Sequence, residues 1–111
     1  MSNKVNLILE GLSKAKVNKP TYDDFKKAGN KFKVLKDVFY GSADAIMDVS
    51  KAKKLGFIVD KEDSDGYFEI SIPKGTILTT TGKSSRAGVT LKVNGIELDF
   101  SDPEDMNVEK L

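Results

Sequence analysis

The spacing closest to nucleotide chemistry is Thr81-Gly82-Lys83-Ser84, the residue types that close a phosphate-binding loop, where backbone amides and a lysine surround the phosphates. The full motif needs a glycine five residues before Gly82, where Ile77 stands, and it opens a helix, whereas Gly82 to Gly88 leads into an alternating strand pattern. The segment therefore reads as a hairpin loop. Asp60, Glu62, Asp63 and Asp65 crowd before Gly66 and offer the oxygen ligands that a hard cation takes. Placing Gly66 at the sixth position of an EF-hand loop puts Lys61 at the first position and Ile72 at the twelfth, and neither can ligate calcium, so this stretch reads as a solvated turn tip. Ser50 and Lys53 have the Ser-x-x-Lys spacing that sets a nucleophile beside a lysine base one helical turn later, but no Lys-Thr-Gly segment accompanies them. Asp23 and Asp24 are adjacent and point about 100° apart on a helix, so they serve as partners of its N-terminal dipole and not as a facing carboxylate pair. The chain has no cysteine and no histidine, which excludes disulfides, thiolate and imidazole metal sites, cysteine nucleophiles and histidine bases. The expectation is a protein without catalytic residues, metal or cofactor.

The elements that would carry these residues divide the chain into two halves. Val5, Ile8, Leu9 and Leu12 recur at helical spacing, which predicts a short amphipathic helix over Asn3 to Ala15. Thr21 can cap a second helix in which Tyr22 and Phe25 share a face until Gly29 and Asn30. Lys31 to Tyr40 carries both periods: Phe32, Leu35 and Phe39 suit a helix, Phe32 and Val34 begin a strand alternation, and helix is the preferred reading. Ser42 to Gly56 reads as a helix with Ser42 as N-cap, a buried stripe of Ala45, Ile46, Val49 and Ala52, lysines in the last turn and Gly56 as the left-handed stop.

From Phe57 onward the period falls to two. Phe57 to Val59 and Gly66 to Ile72 predict a hairpin that buries Phe68, Ile70 and Ile72, and a further short strand is expected over Thr76 to Thr80, followed by a flexible segment from Gly82 to Gly88. Asn94-Gly95 matches a type I′ turn, which sets Val93 opposite Ile96, Leu91 opposite Leu98 and Val89 opposite Phe100, all facing the core, with Lys92 beside Glu97 on the wet face. The fold class expected is α+β: N-terminal helices followed by a small antiparallel β-sheet with hairpins. Residues 1–100 would form one domain and residues 101–111 a loosely held acidic tail.

Charge follows the same division. Residues 1–60 carry 12 lysines against 7 acids, a net of +5, and residues 61–111 carry 6 basic residues against 10 acids, a net of −4. A basic helical half suits an anionic partner such as nucleic acid; the alternative is a helix surface solvated by its lysines. The order of the Asn3 helix, the Thr21 helix, the Ser42 helix ending in Lys-Lys-Leu-Gly-Phe-Ile-Val and the hairpin ending in Tyr-Phe-Glu-Ile-Ser-Ile resembles a winged-helix domain over residues 4–72. That resemblance implies a helix presented to the DNA major groove, with Ser42, Lys51, Lys53 and Lys54 as candidate nucleic-acid contacts. A β half with Ile-Pro-Lys-Gly-Thr-Ile-Leu, a Gly/Ser loop and a tight hairpin also looks like small virion accessory proteins in composition. The functional expectation is a small non-enzymatic binding, regulatory or accessory protein acting through protein-protein contacts, with a protein partner or a homo-oligomer. A winged-helix-like nucleic-acid-binding regulator is the alternative and a virion structural or accessory protein the second alternative. No signal peptide or membrane span is read in the chain, so the expected setting is soluble and cytoplasmic, or the host cytoplasm or virion for a viral protein.

Overall fold

The computed structural model describes residues 19–111, and the helix expected over Asn3 to Ala15 lies outside them. In the described residues the element order is α1 (Tyr22–Lys26), β1 (Lys31–Val34), β2 (Val38–Ser42), α2 (Val49–Lys54), β3 (Ile58–Asp60), β4 (Glu69–Ile72), β5 (Ile77–Ser85), β6 (Gly88–Val93), β7 (Ile96–Phe100), a 3₁₀ turn (Pro103–Asp105) and β8 (Val108–Lys110). The strands build two antiparallel sheets, one of five strands in the order β7-β6-β5-β1-β8 and one of three in the order β2-β4-β3. The expected α+β division into a helical half and a β half is thereby overturned. Among the described residues two short helices stand with eight strands, the first of which begins at Lys31.

Lys31 to Tyr40 is the main correction. It holds parts of two strands, one in each sheet, where a helix was preferred. A helix would turn Phe32 and Val34 about 200° apart, onto opposite sides. In β1 both are fully buried while Lys31 and Lys33 stay exposed, and β5 and β8 flank the strand to receive its backbone hydrogen bonds. The predicted Ser42 helix is also corrected. Ser42 ends β2 opposite Glu69, and the helix starts six residues later at Asp48, whose carboxylate accepts from the Lys51 backbone N–H at 2.8 Å. The buried stripe moves with it: Ala43, Met47 and Ala52 are buried, whereas Ala45 and Ile46 are exposed. The expected stop at Gly56 is found. Gly56, at φ +94°, and Phe57 donate to the carbonyls of Lys53 and Ala52, which closes the helix in a Schellman turn.

The β half follows its local patterns more closely. β3 and β4 pair with Val59 opposite Ile70, and Phe68, Ile70 and Ile72 are buried as the alternation requires. The β6–β7 hairpin has the register set by Asn94-Gly95, with Val93, Leu91 and Val89 opposite Ile96, Leu98 and Phe100, although Ile96 is only half-buried. Lys92 does lie opposite Glu97, but the Glu97 carboxylate pairs with Lys83 at 3.1 Å. The Gly82 to Gly88 segment is mostly strand and not a long loop: β5 runs on to Ser85 through a register shift between Thr80 and Ser84, and only Arg86 and Ala87 form the turn.

The expected loose tail is corrected too. β8 pairs with β1, Pro103 and Val108 are buried, and the Lys110 ammonium lies 3.2 Å from Asp24 of α1. Buried side chains of both sheets form one hydrophobic cluster, from Phe25 stacked on Phe32 at a ring separation of 4.4 Å to Phe68, Ile70 and Ile72 of the smaller sheet. The Asn94 side-chain amide adds a polar tie by donating to the Leu55 carbonyl at the end of α2 at 2.9 Å.

Asp24 makes stability depend on acid. Its carboxylate accepts from the Thr21 backbone N–H at 2.9 Å and the Thr21 hydroxyl at 3.3 Å, and Lys110 faces it. The Thr21 backbone bond first, then the bond from Lys110, holds its pKa below the ordinary 3.8. A carboxylate depressed in the folded state stabilises the fold fully above the unfolded pKa, and that contribution is lost as pH falls through the folded one. Urea unfolding at a series of pH values below about 4 should therefore show a shallower loss of stability in Asp24→Asn than in the wild type. Superimposable acid limbs would contradict this.

Candidate functional site

A groove of about 730 Å³ runs between β2 and the segment from Asp99 to Asn107, a volume within the ~300–1,000 Å³ common for binding pockets. Its position follows from the two sheets sharing one core. β2 is an edge of the smaller sheet, β7 is an edge of the larger, and no strand of the described residues lies beside the outer side of either. Tyr40 joins them. The pairing of β2 with β4 passes from Phe39 opposite Ser71 to Gly41 opposite Ile70, which leaves Tyr40 as the extra residue of a bulge. The Tyr40 ring meets Phe100 edge-to-face at 5.3 Å, at the junction of the two sheets. Burial raises the Tyr40 pKa above 10.0, and the neighbouring Asp99 charge raises it further against the opposing effect of the Asp99 backbone, so its hydroxyl stays protonated at neutral pH. Phe39, next along the strand, is 64% exposed.

The walls are acidic. Asp37 borders the groove on the β2 side and Asp99, Asp102 and Asp105 on the other, against the single lysine Lys36. Asp37 accepts from the Lys74 backbone N–H at 2.7 Å and Asp99 from the Thr90 hydroxyl at 2.6 Å, bonds that fix the carboxylates without neutralising them. The ion pairs of the described residues are Lys61–Glu69, Lys83–Glu97 and Lys110–Asp24, so none of these four aspartates is paired with a cation there.

The candidate nucleic-acid contacts are not brought together into this arrangement. Ser42 lines the acidic groove, whereas Lys51, Lys53 and Lys54 are exposed on α2. At six residues α2 is about 9 Å long, and it is the longer of the two α-helices in the described residues. Ser50 and Lys53 are both exposed on α2, and Lys83 of the phosphate-loop-like segment is engaged with Glu97. In the turn after β3, the Asp63 carboxylate accepts from the backbone N–H groups of Asp65 and Tyr67, an Asx turn that closes the tip on itself. Beside it the Tyr67 hydroxyl donates to Glu69, which raises the Tyr67 pKa. No group of three or more acidic side chains in the described residues is arranged to hold a metal ion. Among the described residues no helix is long and apolar enough to cross a membrane.

Phe39, Tyr40 and the four aspartates were not singled out as a site by sequence reasoning. The available signal was Val38-Phe39-Tyr40-Gly41-Ser42, a β-prone run with a glycine where a bulge forms, which the helical reading of Lys31 to Tyr40 obscured. Comparison with protein families, with curated proteins and with solved structures gives no match to this chain, so the reading of the site rests on its geometry.

Proposed function

We propose that the protein is a non-enzymatic binding module that holds an extended segment of a partner protein as an added strand on β2. The carrying observation is the chemistry of the sheet edges. Open edges invite pairing with other chains, and proteins blunt them with charged residues, proline or bulges; β2 has the bulge at Tyr40 but neither charge nor proline. The edge strands β3, β7 and β8 each carry at least one charge, as Ile-Val-Asp, Ile-Glu-Leu-Asp-Phe and Val-Glu-Lys, whereas β2 is Val-Phe-Tyr-Gly-Ser with none. An uncharged edge bearing an exposed phenylalanine beside a groove suits strand addition, in which backbone bonds supply affinity and alternate side chains supply specificity.

Peptides selected from a random display library on the immobilised protein, then titrated into isotope-labelled protein, should shift the amide resonances of residues 38–42. Phe39→Lys should abolish that binding while changing stability by no more than about 0.5 kcal/mol, because the side chain it replaces is exposed. Binders whose shifts all map elsewhere, or that ignore Phe39→Lys, would overturn the reading.

A further inference from the structure

Resting on that reading, we infer that the segment β2 accepts is basic, with lysine or arginine at alternate positions and apolar residues between them. A strand laid along β2 sends successive side chains to opposite faces. One set can lie against the exposed Phe39 ring, and the other faces the wall of Asp99, Asp102 and Asp105, which no cation of the described residues neutralises. The charge also selects against the nearest competing occupant. If β2 paired with β2 of a second copy, each copy's Asp37 and its Asp99 to Asp105 wall would be brought beside the other's, and like charges across an interface oppose association. Opposite charge favours it, and the carboxylates around the groove can steer a cationic segment into place.

The test is fluorescence anisotropy with labelled nine-residue peptides: one alternating Lys and Val, one alternating Glu and Val, and the Lys-Val peptide methylated on one or on the other alternate set of backbone nitrogens. The Lys-Val peptide should bind and the Glu-Val peptide should not. Raising the salt from about 0.05 M to about 0.5 M should weaken the Lys-Val peptide about tenfold or more, since these exposed charges are readily screened. Asp99→Asn with Asp102→Asn, confirmed as folded by circular dichroism, should weaken it by about tenfold, as expected for loss of two exposed charge pairs. Equal binding of the Glu-Val peptide, or salt-independent binding of the Lys-Val peptide, overturns the basic-segment inference and leaves strand addition standing. Undiminished binding of both methylated peptides overturns strand addition itself, because one of the two sets of nitrogens must face β2. A dimer in sedimentation that Phe39→Lys dissociates would assign the edge to a second copy and overturn the inference.

Discussion

Gly88→Ala is expected to strip the fold of a large share of its stability. Gly88 begins β6 opposite Ser85, in the turn that closes the β5–β6 hairpin, and sits at φ +114°, a backbone conformation that side chains with a Cβ rarely adopt. The added carbon would fall 2.0 Å from the Phe100 carbonyl oxygen, 2.6 Å from its carbon and 2.7 Å from the Ser101 Cα. All three are backbone atoms, so no rotamer change relieves the overlap. β6 and the end of β7 must separate, exposing Val89 and Phe100 at one end of the core. A loss of about 4 kcal/mol or more is expected, in the range where a single mutation signals a specific steric cause, against a total stability of about 5–15 kcal/mol for a domain. Gly95→Ala is the control, because Gly95 has φ +91° but nothing within 4 Å of the added carbon, so only the conformational cost of about 1–2 kcal/mol applies. Urea unfolding of both variants distinguishes the effects. Similar losses in the two would show that φ alone, and not the approach to Phe100, governs Gly88.

Deleting residues 106–111 is expected to be comparably damaging, although it removes only six residues. The deletion takes away β8, the bond from the Leu35 N–H to the Asn107 carbonyl, and the Lys110 partner of Asp24. It also removes Met106 and Val108 from the core and uncovers the edge of β1, where Phe32 and Val34 are fully buried. Burial of each apolar side chain contributes about 1.5–3 kcal/mol, so the two together account for about 3–6 kcal/mol before any hydrogen bond is considered. At about 4–8 °C per kcal/mol for a chain of this size, the melting temperature should fall by more than about 12 °C. The newly open β1 edge should also promote aggregation. Unchanged melting and solubility in the truncated protein would show that β8 is dispensable.

What the sequence alone determined is local. Asn94-Gly95 favours a turn with two positive φ values whatever surrounds it, and the apolar alternation on either side then leaves one register that buries its residues. Gly56 after a run of lysines ends α2 for the same local reason, since both the left-handed residue and the favourable charge lie within a single turn. Where two local readings competed, tertiary structure decided. Phe32 is compatible with either period, and it became a strand residue because Leu78 and Lys110, 46 and 78 residues further on, pair with it. Ser42 and Asp48 can each cap a helix; pairing of Ser42 with Glu69 assigned the cap to Asp48. The composition of the C-terminal segment, rich in acids and containing proline, suggested a loose end, but Pro103, Met106 and Val108 find apolar cover only once β1 is in the sheet. The groove was the least legible feature. Its residues fall into two clusters more than 50 positions apart, and of the candidate contacts taken from the sequence only Ser42 lines it. No periodicity reports a surface made where the edges of two sheets meet, because periodicity records which face of one element is buried, whereas the meeting of two edges depends on how separate elements share a core.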